Sequence, residues 1–305
     1  MSLVDDARRR DARMQRLMQL RYLVMRLRTL VHEGDDSLRA AATPGSFDRV
    51  YGGRLIAEAM MAAAATVETG LSLHAMHAQY LRVGDPSLDT VYKVERLHDT
   101  RTFSRRQVRA EQEGRIVTIA SYSFSRPTIG ISHQIEAPHV SPPEDLESRD
   151  LELIERGNGV PPVNSGVPWP FDIRHVGPRP WYEETRSGSN RFWIRADETL
   201  EGDPSLQACL LLFASDFAMP DAITMQHPIG WDRLMAGDGV FGASLDHSLW
   251  LHRPVRIDDW LLHEQESTVA HDGRGFTTGR FFDRAGHLVA SVAQEVFIRE
   301  TGERA

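Results

Sequence analysis

His77-Ala-Gln-Tyr-Leu81 and, 170 residues later, His247-Ser-Leu-Trp-Leu251 are two versions of one phrase. Two further pairs follow in the same order. Arg101-Thr-Phe-Ser104 matches Arg274-Gly-Phe-Thr277 at an offset of 173, and Gly114-Arg-Ile-Val117 matches Gly286-His-Leu-Val289 at 172. Any one match arises easily by chance. Three in order, drifting by only three residues, predict a duplicated domain.

Each copy has the same surroundings. In the first, Gly52-Gly53 leads into the Ala- and Met-rich run Arg54–Val67, which reads as a buried helix closed by Gly70. Strand-like runs follow at His74–Val83, Leu88–Leu97, Thr102–Glu111 and Arg115–Phe124, with turn signals at Gly84-Asp85-Pro86 and Glu113-Gly114. In the second, Arg191–Ala196 reads as a strand, and Asp203-Pro204 supplies an N-cap and a first-turn proline for a helix over Ser205–Met219. Strands are expected at Ala243–Leu251, Trp260–Val269, Gly275–Phe282 and His287–Ile298. Each copy is thus an α+β unit, one apolar helix wrapped by an antiparallel meander. The expected repeats are residues 35–126 and 189–305.

Two stretches stand outside the repeat. Residues 1–34 carry Arg8, Arg9, Arg10, Arg13, Arg16, Arg21, Arg26 and Arg28. Leu17, Leu20, Val24, Leu27 and Val31 recur at helical spacing, so an arginine-rich amphipathic helix packed on the body is expected. Asp5, Asp6 and Asp11 argue against a targeting peptide. Residues 127–180 hold ten of the sixteen prolines and show no periodicity beyond a short helical turn within Glu144–Glu155. Residues 127–188 therefore read as a linker laid over the surface.

Composition narrows the function classes. The 305 residues are 41% hydrophobic and 26% charged, ordinary for a soluble protein of about two domains. A net charge of −8 gives the surface as a whole no attraction for nucleic acid or anionic membrane. The single cysteine, Cys209, excludes an intrachain disulfide and a multi-cysteine metal cluster, and fits a reducing cytoplasm. The apolar run Ala59–Val67 is far short of the roughly 20 residues of a membrane span. No signal-peptide core opens the chain, and Glu-Arg-Ala at its end is no peroxisomal tripeptide. A cytoplasmic protein without membrane or nucleic-acid partners is expected.

Several motifs fail on physical grounds. Gly237-Asp-Gly-Val-Phe-Gly242 has dinucleotide-site spacing, but the residues after it alternate like a strand where a phosphate site needs a helix, so it reads as a turn. His74 with His77, or His247 with His252, sit at odd separations that point strand side chains to opposite faces, so no metal is expected. No Gly-x-Ser-x-Gly elbow occurs, and Cys209 lies in an apolar helix where an inert thiol is expected.

Three residues remain. Asp216 comes late in a helix that is apolar on almost every side, so it is either a functional buried carboxylate or an acid that reaches solvent at the helix end. Gln294 shares a strand face with Leu288, Ala290 and Val292; catalytic orientation and plain hydrogen-bond satisfaction both fit it. Ser244 and Asp246 share a face with Ser248 and Trp250, opposite Leu245, Leu249 and Leu251. That face is either solvated or, with a buried acid and an amide nearby, suited to holding a nucleophilic water.

These residues sit inside longer runs. Arg49-Val-Tyr-Gly-Gly-Arg-Leu-Ile-Ala-Glu-Ala59, His74-Ala-Met-His-Ala-Gln-Tyr-Leu-Arg-Val-Gly-Asp85 and Arg101-Thr-Phe-Ser-Arg-Arg106 resemble the acyl-CoA thioesterase II family, as do Ser215-Asp-Phe217, Leu245-Asp-His-Ser-Leu-Trp-Leu-His-Arg-Pro254 and Ala290-Ser-Val-Ala-Gln-Glu295. The resemblance covers about residues 15 to 300. It implies a double hot-dog fold and hydrolysis of fatty acyl-CoA, with Asp216, Ser244 and Gln294 orienting the attacking water. The family has threonine at the position of Ser244; serine keeps the hydroxyl but lacks the β-branch that restricts its rotamer. Ala65-Thr-Val67 stand where the first helix would need the acid, so one active site per chain is expected. No cofactor is implied; a homo-oligomer is, and rim arginines would meet the CoA phosphates. Two rivals remain: a hot-dog enoyl-CoA hydratase, which would want an acid and a histidine poised together where Asp246 and His247 point apart, and an inactive acyl-CoA-binding module.

Overall fold

An apolar helix is buried on every side only when other elements close around it, and both repeat helices are enclosed in this way. The computed structural model describes residues 3–44, 49–155, 169–181, 186–200, 202–230 and 239–300. The first part runs α1 (Leu3–Arg28), β1 (Val31–Gly34), β2 (Ser37–Ala40), α2 (Gly52–Ala64), β3 (Ser72–Tyr80), β4 (Thr90–Asp99), β5 (Phe103–Gln112) and β6 (Arg115–Ser125). After a single 3-10 turn come α3 (Arg149–Glu155), β7 (Phe171–Val176), β8 (Ser189–Ala196), α4 (Pro204–Ser215), α5 (Asp221–Thr224) and β9 (Val240–Ser244). The second meander closes the chain with β10 (Asp246–Leu251), β11 (Leu261–His271), β12 (Arg274–Asp283) and β13 (Leu288–Glu300).

All strand pairs are antiparallel and form one continuous sheet in the order β1-β2-β4-β5-β6-β3-β10-β13-β12-β11-β8-β7, with β9 added on β13. The two copies meet at β3 and β10, the strands that carry the repeated phrase, where Ala78 faces His247 and His77 faces Ser248. Behind this seam α2 and α4 lie against each other, and their apolar side chains form one core that spans both repeats. The approach is close. A methyl at Gly53 would stand 2.4 Å from the Phe213 carbonyl, and the Cys209 thiol donates to the Ala57 carbonyl at 3.1 Å. Burial raises the Cys209 pKa well above its ordinary value and keeps the thiol protonated.

The flanking stretches depart from the sequence reading. α1 stops at Arg28, and Val31, placed by periodicity on the helical stripe, instead opens the β1–β2 hairpin with 62% of its surface exposed. Leu20, Leu23 and Leu27 are buried, but so are two of the arginines. Arg16 reaches Asp150 at 2.7 Å and Asp197 at 2.8 Å in the second half, while Arg26 pairs with the fully buried Glu58 of α2 in the first. The helix is therefore bolted to both repeats by buried ions.

The stretch 127–188 is only partly a surface linker. Residues 127–141 form no helix or strand, with Ile129 and Ile131 exposed, but Ala137, Val140 and Leu146 cover a second apolar cluster of Trp193, Trp260, Leu262 and Phe282. Phe171–Val176 then joins the sheet as β7 against β8. Asp172, Arg174 and His175 hide the expected alternation, because Asp172 is buried beside Arg174 at 3.0 Å and Arg16 at 3.9 Å. Gly237 and Asp238 of the turn read at 237–242, and Pro161, Pro162 and Pro168 of the linker, lie outside the described residues.

Candidate active site

The helix that carries the acid ends one residue before it. Ala218 adopts a left-handed φ of 61° and Pro220 cannot continue a helix, so α4 stops at Ser215 and Asp216 becomes its C-cap. The sequence reading had run this helix to Met219. At the cap the Asp216 side chain leaves the apolar helix face and turns to the start of α2. Its Oδ2 accepts the Gly53 N–H at 2.8 Å, one of the backbone donors that a helix N-terminus leaves open. Its Oδ1 is buried with no hydrogen-bond partner. Burial raises the Asp216 pKa above the ordinary carboxylate value, while His247, the Gly53 amide and Gln294 partly oppose that rise. The acid is 6% exposed, so the solvent-facing alternative for it falls away.

A bulge brings the other two residues to this acid. Ser244 faces Val296 across the β9 ladder and Ser248 faces Ala293 across the β10 ladder, four residues on one side against three on the other. The extra residue breaks the strand at Leu245, so Ala243–Leu251 is not one regular strand as its alternation suggested. Leu245 anchors the break: its N–H donates to the Glu295 carbonyl, and its carbonyl accepts the Tyr80 N–H, both at 2.9 Å. Ser244 is thereby re-aimed, and Gln294 Nε2 donates to Ser244 Oγ at 2.5 Å. Gln294 is fully buried and lies close enough to Asp216 to temper the rise in its pKa. Asp246 departs, accepting the Glu295 N–H at 2.8 Å.

Sequence reading weighed His247 only as a metal ligand and as a hydratase histidine, and gave it no part in this site. It is fully buried, with Nδ1 2.7 Å from Gln294 Oε1 and Nε2 2.8 Å from the hydroxyl of Ser215, the residue preceding the acid. Its position among Leu245, Leu249 and Leu251 on the apolar side of the run was the available signal. Burial lowers its pKa below the ordinary histidine value although the Asp216 charge opposes this, so the ring is neutral at neutral pH.

The first repeat completes the surroundings. A methyl at Gly52 would stand 2.8 Å from Asp216 Oδ2 and 2.9 Å from the Tyr80 hydroxyl, which is itself buried without a partner. Burial, and after it the Asp216 charge, holds the Tyr80 phenol protonated. At the far end of α2 the C-cap position that Asp216 holds in α4 is taken by Ala65, and next to it the Thr66 hydroxyl accepts from Arg106 Nε at 2.7 Å and its carbonyl from Arg106 Nη2 at 2.9 Å.

Comparison with known proteins agrees with this architecture. Residues 41–125 match the family model of the acyl-CoA thioesterase N-terminal domain, and residues 140–298 that of the C-terminal domain. The chain is 33% identical over 264 residues to acyl-coenzyme A thioesterase 8 of Homo sapiens, covering 82% of this chain and 81% of that one. It is 33% identical over 257 residues to acyl-CoA thioesterase 2 of Haemophilus influenzae, covering 83% and 88%. The crystal structure of acyl-CoA thioesterase II TesB2 from Mycobacterium marinum superposes with a TM-score of 0.74 at 29% identity, over 92% of this chain and 99% of that one. With two matched domains, a continuous double hot-dog sheet and relatives aligned over most of their length, the chain belongs to the acyl-CoA thioesterase II family.

Proposed function

We propose that the protein hydrolyses fatty acyl-CoA thioesters to the free acid and CoA, with water as the nucleophile and no covalent intermediate. The observation that carries this is the free Asp216 Oδ1, buried beside the Gln294–Ser244 pair. A water donating one hydrogen to Oδ1 and the other to Ser244 Oγ turns a lone pair outward, toward the thioester carbon. As the new C–O bond forms, the water's proton passes to Asp216, whose pKa burial raises above the ordinary carboxylate value. Collapse of the tetrahedral intermediate breaks the C–S bond, and the departing sulfur takes the proton back. The Gly53 amide is committed to Asp216, so the unpartnered Tyr80 hydroxyl is the donor left beside the carboxylate for the developing oxyanion. The reading places one site in each chain, in the second repeat, because an alanine, Ala65, stands at the corresponding helix cap in the first.

The hydratase rival finds no support in the histidine. Asp246 turns to the Glu295 amide, and both ring nitrogens of His247 are engaged by Ser215 and Gln294. A cytoplasmic homo-oligomer is part of the same reading. It is supported by the lone buried cysteine and by Phe103, Trp250 and Phe276 exposed on the sheet. Thiol release from acyl-CoAs of several chain lengths tests the activity. Asp216→Asn should lower kcat by about 100-fold or more with an unchanged circular dichroism spectrum. Wild-type turnover by that variant would remove Asp216 from the mechanism, and loss of enoyl absorbance without thiol release would identify a hydratase.

A further inference from the structure

A neutral imidazole carries one ring hydrogen, and its partners decide which nitrogen holds it. Gln294 fixes the choice for His247. The amide nitrogen of Gln294 donates to Ser244 Oγ, so its oxygen is the end that faces the ring, 2.7 Å from Nδ1. An amide oxygen only accepts; Nδ1 must therefore bear the hydrogen. The other ring nitrogen, Nε2, then accepts from the Ser215 hydroxyl at 2.8 Å, whose single hydrogen is shared with the Leu212 carbonyl at 2.9 Å. Were the ring to gain a second proton, Ser215 would accept from Nε2 and donate to the Leu212 carbonyl, 2.9 Å away, and Nδ1–H would still face Gln294.

A glutamine amide is nearly symmetric in shape, and packing alone does not choose between its two orientations. The reversed one would aim the amide oxygen at Ser244 and remove the donor that holds its hydroxyl. We propose that His247 is a positioning residue for the hydrolysis: its Nδ1–H locks the Gln294 amide with its nitrogen turned to Ser244. Through Nε2 it also ties that amide to Ser215, so the end of α4 and the strand carrying Gln294 move as one unit. Neither ring nitrogen has a lone pair or hydrogen to spare for substrate. His247 therefore acts through Gln294, not on the reacting atoms.

This inference rests on the thioesterase reading, and two measurements separate them. The first is kinetic. His247→Asn places an amide nitrogen near the Nδ1 position, while His247→Gln reaches toward the Nε2 position and leaves Gln294 without its donor. His247→Gln should lower kcat by about 10–100-fold with KM nearly unchanged, whereas His247→Asn should retain most of the turnover. In a Gln294→Ala background the His247→Gln substitution should cost less than about twofold, since the group it orients is gone. An equal loss in both backgrounds, or a rise in KM at constant kcat, overturns the proposal. The second measurement needs no activity. Nitrogen-15 NMR of the wild-type ring should show the Nδ1–H form at neutral pH, and the Nε2–H form would overturn the proposal whether or not acyl-CoA is hydrolysed. Absence of thiol release alongside an Nδ1–H ring would instead refute the thioesterase reading alone.

Discussion

α2 opens on two glycines that answer to different neighbours, and replacing each with alanine separates site geometry from fold. At Gly52 the added methyl would sit 2.8 Å from Asp216 Oδ2 and 2.9 Å from the Tyr80 ring and hydroxyl. Ordinary contact begins near 3.4 Å, so the carboxylate must retreat by about half an ångström, and both obstructing groups are side chains able to move. Overpacking costs about 1–3 kcal/mol. Up to about 1 kcal/mol returns as alanine's better helix propensity, so Gly52→Ala should stay folded. Its activity should not survive intact. The same retreat strains the 2.8 Å bond from the Gly53 amide and moves Oδ1 off the water position, a misplacement expected to lower kcat by about 10–100-fold. At Gly53 the methyl would meet the Phe213 carbonyl at 2.4 Å, where only a shift of one helix backbone from the other gives relief. Gly53→Ala should therefore fail in stability first, with a lower melting temperature or insoluble protein. Thiol release and thermal melts of both variants make the comparison. Wild-type kcat in folded Gly52→Ala would refute the placement of the carboxylate against the head of α2.

Asp221 is buried, and burial pushes its pKa up to about 7 against a partial counter-pull from Arg149. Its folded-state pKa lies above its unfolded one, so its contribution to stability is greatest below about pH 4. That contribution is lost progressively as the pH rises to about 7, by at most about 4 kcal/mol. Urea unfolding between pH 5 and 8 should show a shallower decline for Asp221→Asn than for wild type; parallel slopes would contradict it. Arg16→Met should leave buried Asp150 with only Arg149 at 3.9 Å and buried Asp197 with only Arg195 at 3.4 Å, costing about 3 kcal/mol and lowering the melting temperature by roughly 10 °C. An unchanged melting temperature would show that the buried ions of α1 do not hold the fold.

Apolar periodicity reported the core well and the polar interior poorly. Runs read at Thr102–Glu111 and Arg115–Phe124 became β5 and β6 within a residue, because each has one face on the core and one outside. The repeat gave the architecture, since two copies of one unit meet along equivalent strands. β7 was illegible because Asp172, Arg174 and His175 take up positions where an apolar alternation was sought. The site was half legible. Asp216 and Gln294 stood out as polar residues in apolar surroundings, but Ser244 and His247 converge only because the chain gains a residue at Leu245, which alternation cannot register. The same arithmetic had set Ser244 and His247 on opposite faces.

The ion bolts of α1 also set an order of assembly. Arg16 leaves the ribosome early, yet Asp150 follows 134 residues later and Asp197 181 residues later. At about 5–20 residues per second, the helix must wait roughly ten to forty seconds for its second-half partners to be synthesised. Throughout that interval Arg26 can close on Glu58, only 32 residues away, while the other end has nothing to hold. The nascent chain thus carries a helix docked at one end and loose at the other, and its Arg16 end can close only once α3 and the stretch just past β8 have been made.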